Sequence, residues 1–359
     1  MTRSERPSRI PGFYEKSIVE RGQKDSFINS SPVYFNGMIL QGVAGNEGGD
    51  VSNGAYAILD ASRTCSKTSA TSCLHPVANG TGGKILRHAH IIPPDQYKKG
   101  YRGGSIWCTP AIDARTRYAY ACTGNPASKK LESPYTNALI KIDLDPARKT
   151  FGKIVGVFKG ETDHYIAGLD KQPVCQMFGD QLVYVAWSAG CVQLDLDFGA
   201  SPNLFTDSSG HTLVGDLQKS GVYHVVHADT MKEAWKSIVG IPCFSCNAAS
   251  GAFDSGGIYV AAAAPGQLIS LTKSGQYRWA TPIGDGTHYQ SVSAANGLVY
   301  AMDNYGTMNV FDASTGLLQM RRPLAMDVHH PYADASSTGI AIARNTIYAA
   351  SSEWVVAFR

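Results

Sequence analysis

Two aspartates one residue apart, Asp195 and Asp197 in QLDLDFGASP, alternate with Leu194 and Leu196. A strand here sets both carboxylates on one face, roughly 7 Å apart. Two like charges held together favour a cation or a shared proton; the plainer reading is a solvent-facing strand or a turn ahead of Phe198-Gly199. Trp107 and Asn125 mark the ends of a second chemical stretch, GGSIWCTPAIDARTRYAYACTGN at 103–125, whose apolar runs flank a polar turn at Asp113, Arg115 and Thr116. This is the pattern of a β-hairpin. With the turn centred near Arg115, Trp107 and Cys108 lie opposite Cys122 and Thr123, and Asn125 sits just beyond on the same rim, so an aromatic plate and an amide converge.

Three further groups carry possible chemistry. Lys219, in LQKSGVYH, precedes a tight Ser-Gly turn and is expected to project from a rim. GVAGNEGGD carries Glu47 and Asp50 directly after a strand at 38–43, and its glycines permit close backbone approach to a ligand as readily as a plain turn. His88-Ala-His90 alternates on one strand face, and His329-His330 abuts Pro331. An HxH pair can chelate zinc, but no third ligand follows at zinc spacing.

These groups need a scaffold, and the chain has the means to build one. It has 359 residues, 43% hydrophobic and 17% charged, enough to bury a large core and too apolar for disorder. The formal charge of +3 is small, and no run of five or more Lys or Arg occurs, so nothing marks a nucleic-acid footprint. No apolar run approaches the roughly 20 residues of a membrane helix. The polar start MTRSERPSR has no apolar signal-peptide core behind it, so the chain as given reads as soluble.

No long stretch has helical periodicity. Short runs of Val, Ile, Tyr and Ala alternate with Gly, Asn, Asp and Ser turns, which is an all-β pattern. One unit recurs: a small-residue strand, a Gly or Asn turn, a strand with central Tyr, a strand ending near Asp, a Thr-Gly-like turn, and an outer strand. It begins at Ser31, Trp107, His211, Ser250, Ser291 and Ser336, with Cys175 to Leu194 as a possible seventh instance. A four-stranded antiparallel unit cannot bury both faces alone, and radial stacking into a β-propeller solves that. The expectation is an all-β fold: one propeller of about seven blades, with six to eight possible, at 25–359 after an extension at 1–24. Residues Asp25 to Ile28 are expected to supply the missing outer strand of the last unit and close the ring.

The eight cysteines fall into sequence-local pairs: Cys65 with Cys73, Cys108 with Cys122, Cys175 with Cys191, and Cys243 with Cys246. Local pairing predicts disulfides and an oxidising, extracytoplasmic compartment, periplasmic or secreted. Cys108 and Cys122 are equidistant from the proposed turn and so are cross-strand neighbours. Haem attachment is excluded, since Asn247 stands where CxxCH requires histidine.

Taken together, GVAGNEGGD, GGSIWCTPAID with CTGN, DLDFGASPNLF, LVGDLQKSGVYHV and VSAANGLVYAMDNYGTMNVFDASTG resemble the polyvinyl-alcohol-dehydrogenase-like branch of the quinoprotein alcohol dehydrogenases, which use pyrroloquinoline quinone (PQQ). The resemblance runs from about Ser30 onward. It implies that Trp107 stacks on the quinone, that Asn125 and Glu47 are ligands of a Ca²⁺ or lanthanide ion, and that Lys219 hydrogen-bonds the quinone oxygens. The catalytic aspartate falls on Asp195 in the ungapped register, with Asp197 as an added carboxylate of the kind lanthanide-using relatives carry; the other register makes Asp197 the base. The implied reaction oxidises a small-molecule or polymeric alcohol: an aspartate takes the hydroxyl proton as hydride passes to the quinone. With no haem motif in the chain, the electrons go to an external acceptor such as a cytochrome. The chain departs from the family in placing Leu before the aspartate, Ala44 where a serine would face the quinone, and no adjacent-cysteine pair. Two other readings stand beside this one: a non-catalytic propeller used as a binding or assembly scaffold, and a metal-dependent lyase or hydrolase using the histidines at the propeller mouth.

Overall fold

The computed structural model describes residues 28–45, 53–61, 85–127, 132–161, 176–178, 181–183, 196–242, 247–263, 265–283, 289–328, 339–351 and 354–359. Sheet 1 holds β1 (Val33–Phe35), β2 (Met38–Val43), β3 (Ala55–Asp60) and β4 (Ile85–His90). Sheet 2 holds β5 (Ala111–Asp113), β6 (Tyr118–Cys122), β7 (Ala138–Asp143) and β8 (Ile154–Lys159). A two-stranded hairpin follows, β9 (Gln176–Phe178) with β10 (Gln181–Val183). Sheet 3 is β11 (Asn203–Thr206), β12 (Thr212–Leu217), β13 (Val222–His227) and β14 (Glu233–Ile238); sheet 4 is β15 (Ala252–Phe253), β16 (Ile258–Ala262), β17 (Gln267–Leu271) and β18 (Tyr277–Pro282). Sheet 5 is β19 (Ser293–Ala295), β20 (Leu298–Met302), β21 (Thr307–Asp312) and β22 (Leu318–Pro323), and sheet 6 is β23 (Ala341–Ala343), β24 (Thr346–Ser351) and β25 (Trp354–Phe358). Each sheet is a consecutive antiparallel meander, and the two short helices, α1 (Pro94–Lys98) and α2 (Ala325–Val328), lie between sheets in the chain.

The stacking follows from alternation. Strand side chains point to opposite faces in turn, and here both faces are apolar. In β16, Ile258, Val260 and Ala262 enter a core shared with sheet 3, while Tyr259 and Ala261 enter the core shared with sheet 5. In β20, Val299 and Ala301 face sheet 4 while Met302 packs with Ile340 and Ala349 of the next unit. Sheets that are apolar on both faces stack in series.

Specific contacts lock the order. Trp235 of β14 lies on Gly275 of sheet 4 and donates from Nε1 to the Lys273 carbonyl (3.0 Å), and Trp279 of β18 lies on Gly316 of sheet 5 and donates to the Ala313 carbonyl (3.2 Å). A methyl group on either glycine would stand 2.6 Å from the indole, and both glycines have positive φ, +86° and +74°. Arg87 of β4 occupies the same position on Gly152 of sheet 2. Tyrosine hydroxyls span the sheets as well: Tyr56 donates to the Gly152 carbonyl and Tyr120 to the Ala228 carbonyl, each at 2.8 Å.

Tyr120 belongs to sheet 2 and Ala228 to the β13–β14 turn, and β5 also touches β11. Sheets 2 and 3 therefore pack directly on each other. Among the described residues, Cys175 to Leu194 contributes only the β9–β10 hairpin, and the stack comprises six sheets of three or four strands. The meander also sorts the connections. Those joining the second strand of a sheet to the third, and one sheet to the next, emerge at one end of the stack; the remaining turns emerge at the other.

Candidate active site

The hairpin of sheet 2 builds the first half of the site. Asp113 pairs with Tyr118 and Ala111 with Tyr120, and the turn between them is closed by Asp113 Oδ1 accepting from the Arg115 and Thr116 N–H groups. Beyond the strands the two arms stay together. The Gly124 N–H donates to the Ser105 carbonyl (2.7 Å), the Gly104 N–H to the Asn125 carbonyl (3.0 Å) and the Ala127 N–H to the Arg102 carbonyl (3.1 Å). Gly103 makes this approach possible, with φ +103° and no room for a methyl group, which would stand 2.1 Å from the Asn125 carbonyl oxygen. Cys108 and Cys122 face each other across the arms with Cα atoms 5.9 Å apart, inside the usual disulfide range. The result sets half-buried Trp107 against Gly124, where a methyl group would stand 2.5 Å from the indole Nε1 and 3.0 Å from Asp197 Oδ2.

The second half comes from sheet 3. Residues 196–199 fold back alongside the β12–β13 turn through a bridge between Phe198 and Gln218, and the Lys219 N–H donates to the Asp197 carbonyl (3.1 Å). This places Lys219 Nζ 2.5 Å from Asp197 Oδ1, with the two side chains 9% and 0% exposed. Lys219, expected to project from a rim, is instead turned inward, because the fold-back supplies a carboxylate for its ammonium. Asn247, at φ +57°, holds the turn from behind: its Nδ2 donates to the Lys219 carbonyl (3.2 Å) and the Ile241 carbonyl (2.9 Å), and its Oδ1 accepts from the Ala263 N–H (3.0 Å).

A buried polar layer supports the turn between sheets 2 and 3. Gln218 is fully buried; its Oε1 accepts from the Glu161 N–H (2.9 Å) and the Ser220 hydroxyl (3.0 Å) and faces His224 Nε2 at 3.0 Å, while its Nε2 donates to the Glu161 carbonyl (2.9 Å). His224 packs between Phe158 and Phe198, and burial pulls its pKa below the ordinary histidine value. Asp216 stands opposite His224 in the strand register. One of its oxygens accepts from the Leu217 N–H (2.8 Å), the other has no hydrogen bond among the described residues, and burial drives its pKa well above the carboxylate range. Gln218, His224, Asp216 and Asn247 did not stand out in the sequence. The available signal was polar residues at inward positions of apolar strands, as in LVGDLQ and VYHVV.

Trp107, Asn125, Asp197 and Lys219 thus lie at one end of the stack, at the junction of sheets 2 and 3. Asn125 is 4% exposed and follows Gly124, the residue that stands against Trp107 and Asp197. Glu47, Asp50, Asp195, Cys65, Cys73, Cys175, Cys191, Cys243, Cys246, His329 and His330 lie outside the described residues. His88 and His90 both stand on β4, ring centroids 5.3 Å apart, and no group of three His, Cys, Asp or Glu suited to a metal occurs among the described residues. What the arrangement offers is a carboxylate for proton transfer, an ammonium beside it, an amide, and a partly open indole.

No protein-family model matches the chain, and no curated protein matches it. Solved structures do. A quinohemoprotein alcohol dehydrogenase from Comamonas testosteroni superimposes with TM-score 0.60 at 14% identity, over 91% of this chain and 56% of its own. The quinohemoprotein alcohol dehydrogenase ADHIIG from Pseudomonas putida HK5 gives 0.61 at 13% identity, over 92% and 57%. A europium-containing methanol dehydrogenase gives 0.61 at 12% identity, over 91% and 66%. The fold is therefore a β-propeller like that of the quinoprotein alcohol dehydrogenases, and the chain spans between about half and two thirds of their length.

Proposed function

We propose that this chain is a quinoprotein-like oxidoreductase that oxidises an alcohol with PQQ and a hard metal ion, Ca²⁺ or a lanthanide, and passes the electrons to an external acceptor such as a cytochrome. The observation that carries the proposal is the grouping of the Asp197–Lys219 pair with the Trp107 indole across Gly124. The groups suit the cofactor chemically. A half-buried indole offers a surface to a flat quinone, an ammonium suits carbonyl oxygens, and carboxylate plus amide oxygens suit a hard cation. In this assignment Trp107 holds the ring, Lys219 donates to its oxygens, and Asn125 and Asp197, with Glu47 and Asp195, supply oxygens to the metal. PQQ, when bound, supplies the two-electron acceptor for the hydride on the alcohol carbon. The chain's own part is to place that carbon and to take the hydroxyl proton on a carboxylate of the Asp195 and Asp197 pair. Lys219 keeps positive charge where negative charge develops.

The likeness to quinoproteins also motivates the wider proposal. The propeller occupies 25–359 with about seven blades, a strand at 25–28 completes sheet 6, and the protein works in an extracytoplasmic compartment with all four local cysteine pairs oxidised. Titrating purified protein with PQQ in the presence of Ca²⁺ or La³⁺ tests the function. Saturable binding and alcohol-dependent dye reduction are expected; no binding at high PQQ concentration ends the enzyme assignment. A scaffold role is the second reading, favoured by the complete burial of Asp197. It predicts that a stable protein partner is retained when both aspartates are changed to alanine.

A further inference from the structure

We propose that a second site, for a small anion bearing a phosphate or carboxylate group, lies at the opposite end of the stack between sheets 3 and 4. A cleft of about 570 Å³ opens there, lined by the β11–β12, β15–β16 and β17–β18 turns with the facing ends of β13 and β14. These turns emerge at the end away from Trp107 and Lys219, so the cleft is separate from the candidate active site.

Its polar lining is rich in uncommitted donors. Among the described residues Lys273 makes no ion pair, and the His227 imidazole makes no hydrogen bond or ion pair and stands edge-on to the ring of His211, centroids 5.9 Å apart. The hydroxyls of Thr206, Ser208 and Ser255 likewise make no hydrogen bond within the described chain. The one carboxylate in the lining is already in use: Asp207 accepts from the Ser209 N–H (2.9 Å), the His211 N–H (2.8 Å) and His211 Nδ1 (3.1 Å). Among the described residues this leaves one lysine ammonium, one imidazole and three hydroxyls, a set complementary to a group with several acceptor oxygens.

The rest of the wall fixes the size and character of the ligand. Leu213, Ala234 and the edge of Trp235 give an apolar patch, and the volume lies within the range of small-molecule sites. Trp235 is no stacking platform, since Gly275 covers one side of the ring and Tyr223 packs 6.1 Å away at a 36° tilt. That argues for a short acid with a compact apolar body and against a ligand held by ring stacking. The Lys273 carbonyl accepts from Trp235 Nε1 (3.0 Å), which fixes the backbone of the β17–β18 turn at the cleft.

Phenyl phosphate and benzoate serve as probes, with phenol as the neutral control, followed by calorimetry and by shifts of the histidine ring signals. Expected is saturable one-site binding of at least one of the two anions and none of phenol. Lys273→Met, on a half-exposed side chain, weakens it by about tenfold or more, the loss of one charge-assisted hydrogen bond; His227→Gln weakens it less, and Trp107→Ala leaves it unchanged. No saturable binding of either anion, equal binding of phenol, or full affinity in Lys273→Met overturns the proposal.

Discussion

Replacing Lys219 by Met leaves the Asp197 carboxylate buried without its ammonium. The aliphatic stem is retained, and it packs: a methyl group on Gly199 would stand 3.4 Å from Lys219 Cε. The change is therefore chiefly one of charge. Removing one partner of a buried pair costs about 3–5 kcal/mol, because the remaining charge is stranded in a medium that solvates it poorly. With the lysine side chain 9% exposed and the aspartate at 0%, the lower end, about 3 kcal/mol, is expected. The double variant Lys219→Met with Asp197→Asn carries neither charge, and neutralising both partners brings the cost down to about 1 kcal/mol. Urea unfolding followed by tryptophan fluorescence, at matched slopes, reads both values. A loss below about 1 kcal/mol in the single variant, or losses that simply add in the double, refutes the buried pair.

Other outcomes follow from the same packing. Asp216 has its pKa raised by burial, so it binds its proton more tightly in the folded state than in the unfolded. Its contribution is fully present below the unfolded carboxylate range and is lost as pH rises through the raised folded value. Asp216→Asn should therefore gain stability relative to the parent as pH rises above about 4, measured as melting temperature against pH; parallel curves refute it. Gly275→Ala, at φ +86° and against the Trp235 ring, should lose about 2 kcal/mol in urea, and an unchanged midpoint would show the indole is not seated there. Oxidised protein should show Cys108 and Cys122 linked in a non-reducing peptide map, with the Cys108→Ala, Cys122→Ala pair losing about 3 kcal/mol for the 14-residue separation.

Strand alternation and turn chemistry made most of the architecture legible. The hairpin centre near Arg115 matches the observed pairing of Asp113 with Tyr118, since an Asp-x-x-Thr turn between two apolar runs leaves little freedom of register. The apolar runs of the recurring unit became strands for the same reason. Of the stretch from Cys175 to Leu194 the described residues form the β9–β10 hairpin, and apolar runs alone do not say how many neighbours a strand finds. Local sequence alone places Lys219 outward. A Ser-Gly turn says where the backbone bends, whereas the inward path of the ammonium depends on residues 196–199, about twenty positions earlier in the chain. The tryptophans at 235 and 279 did carry a readable signal, each preceding by about forty residues the turn glycine on which it rests, Gly275 and Gly316.

The central claim is that Trp107, Lys219 and the aspartates form a quinone site. It is tested most directly by equilibrium binding of PQQ, with Ca²⁺ or La³⁺ present, to the parent protein and to Trp107→Ala. Saturable binding to the parent that weakens about tenfold or more on loss of the indole is the predicted result. Absence of binding to the parent, or equal binding to both, contradicts it.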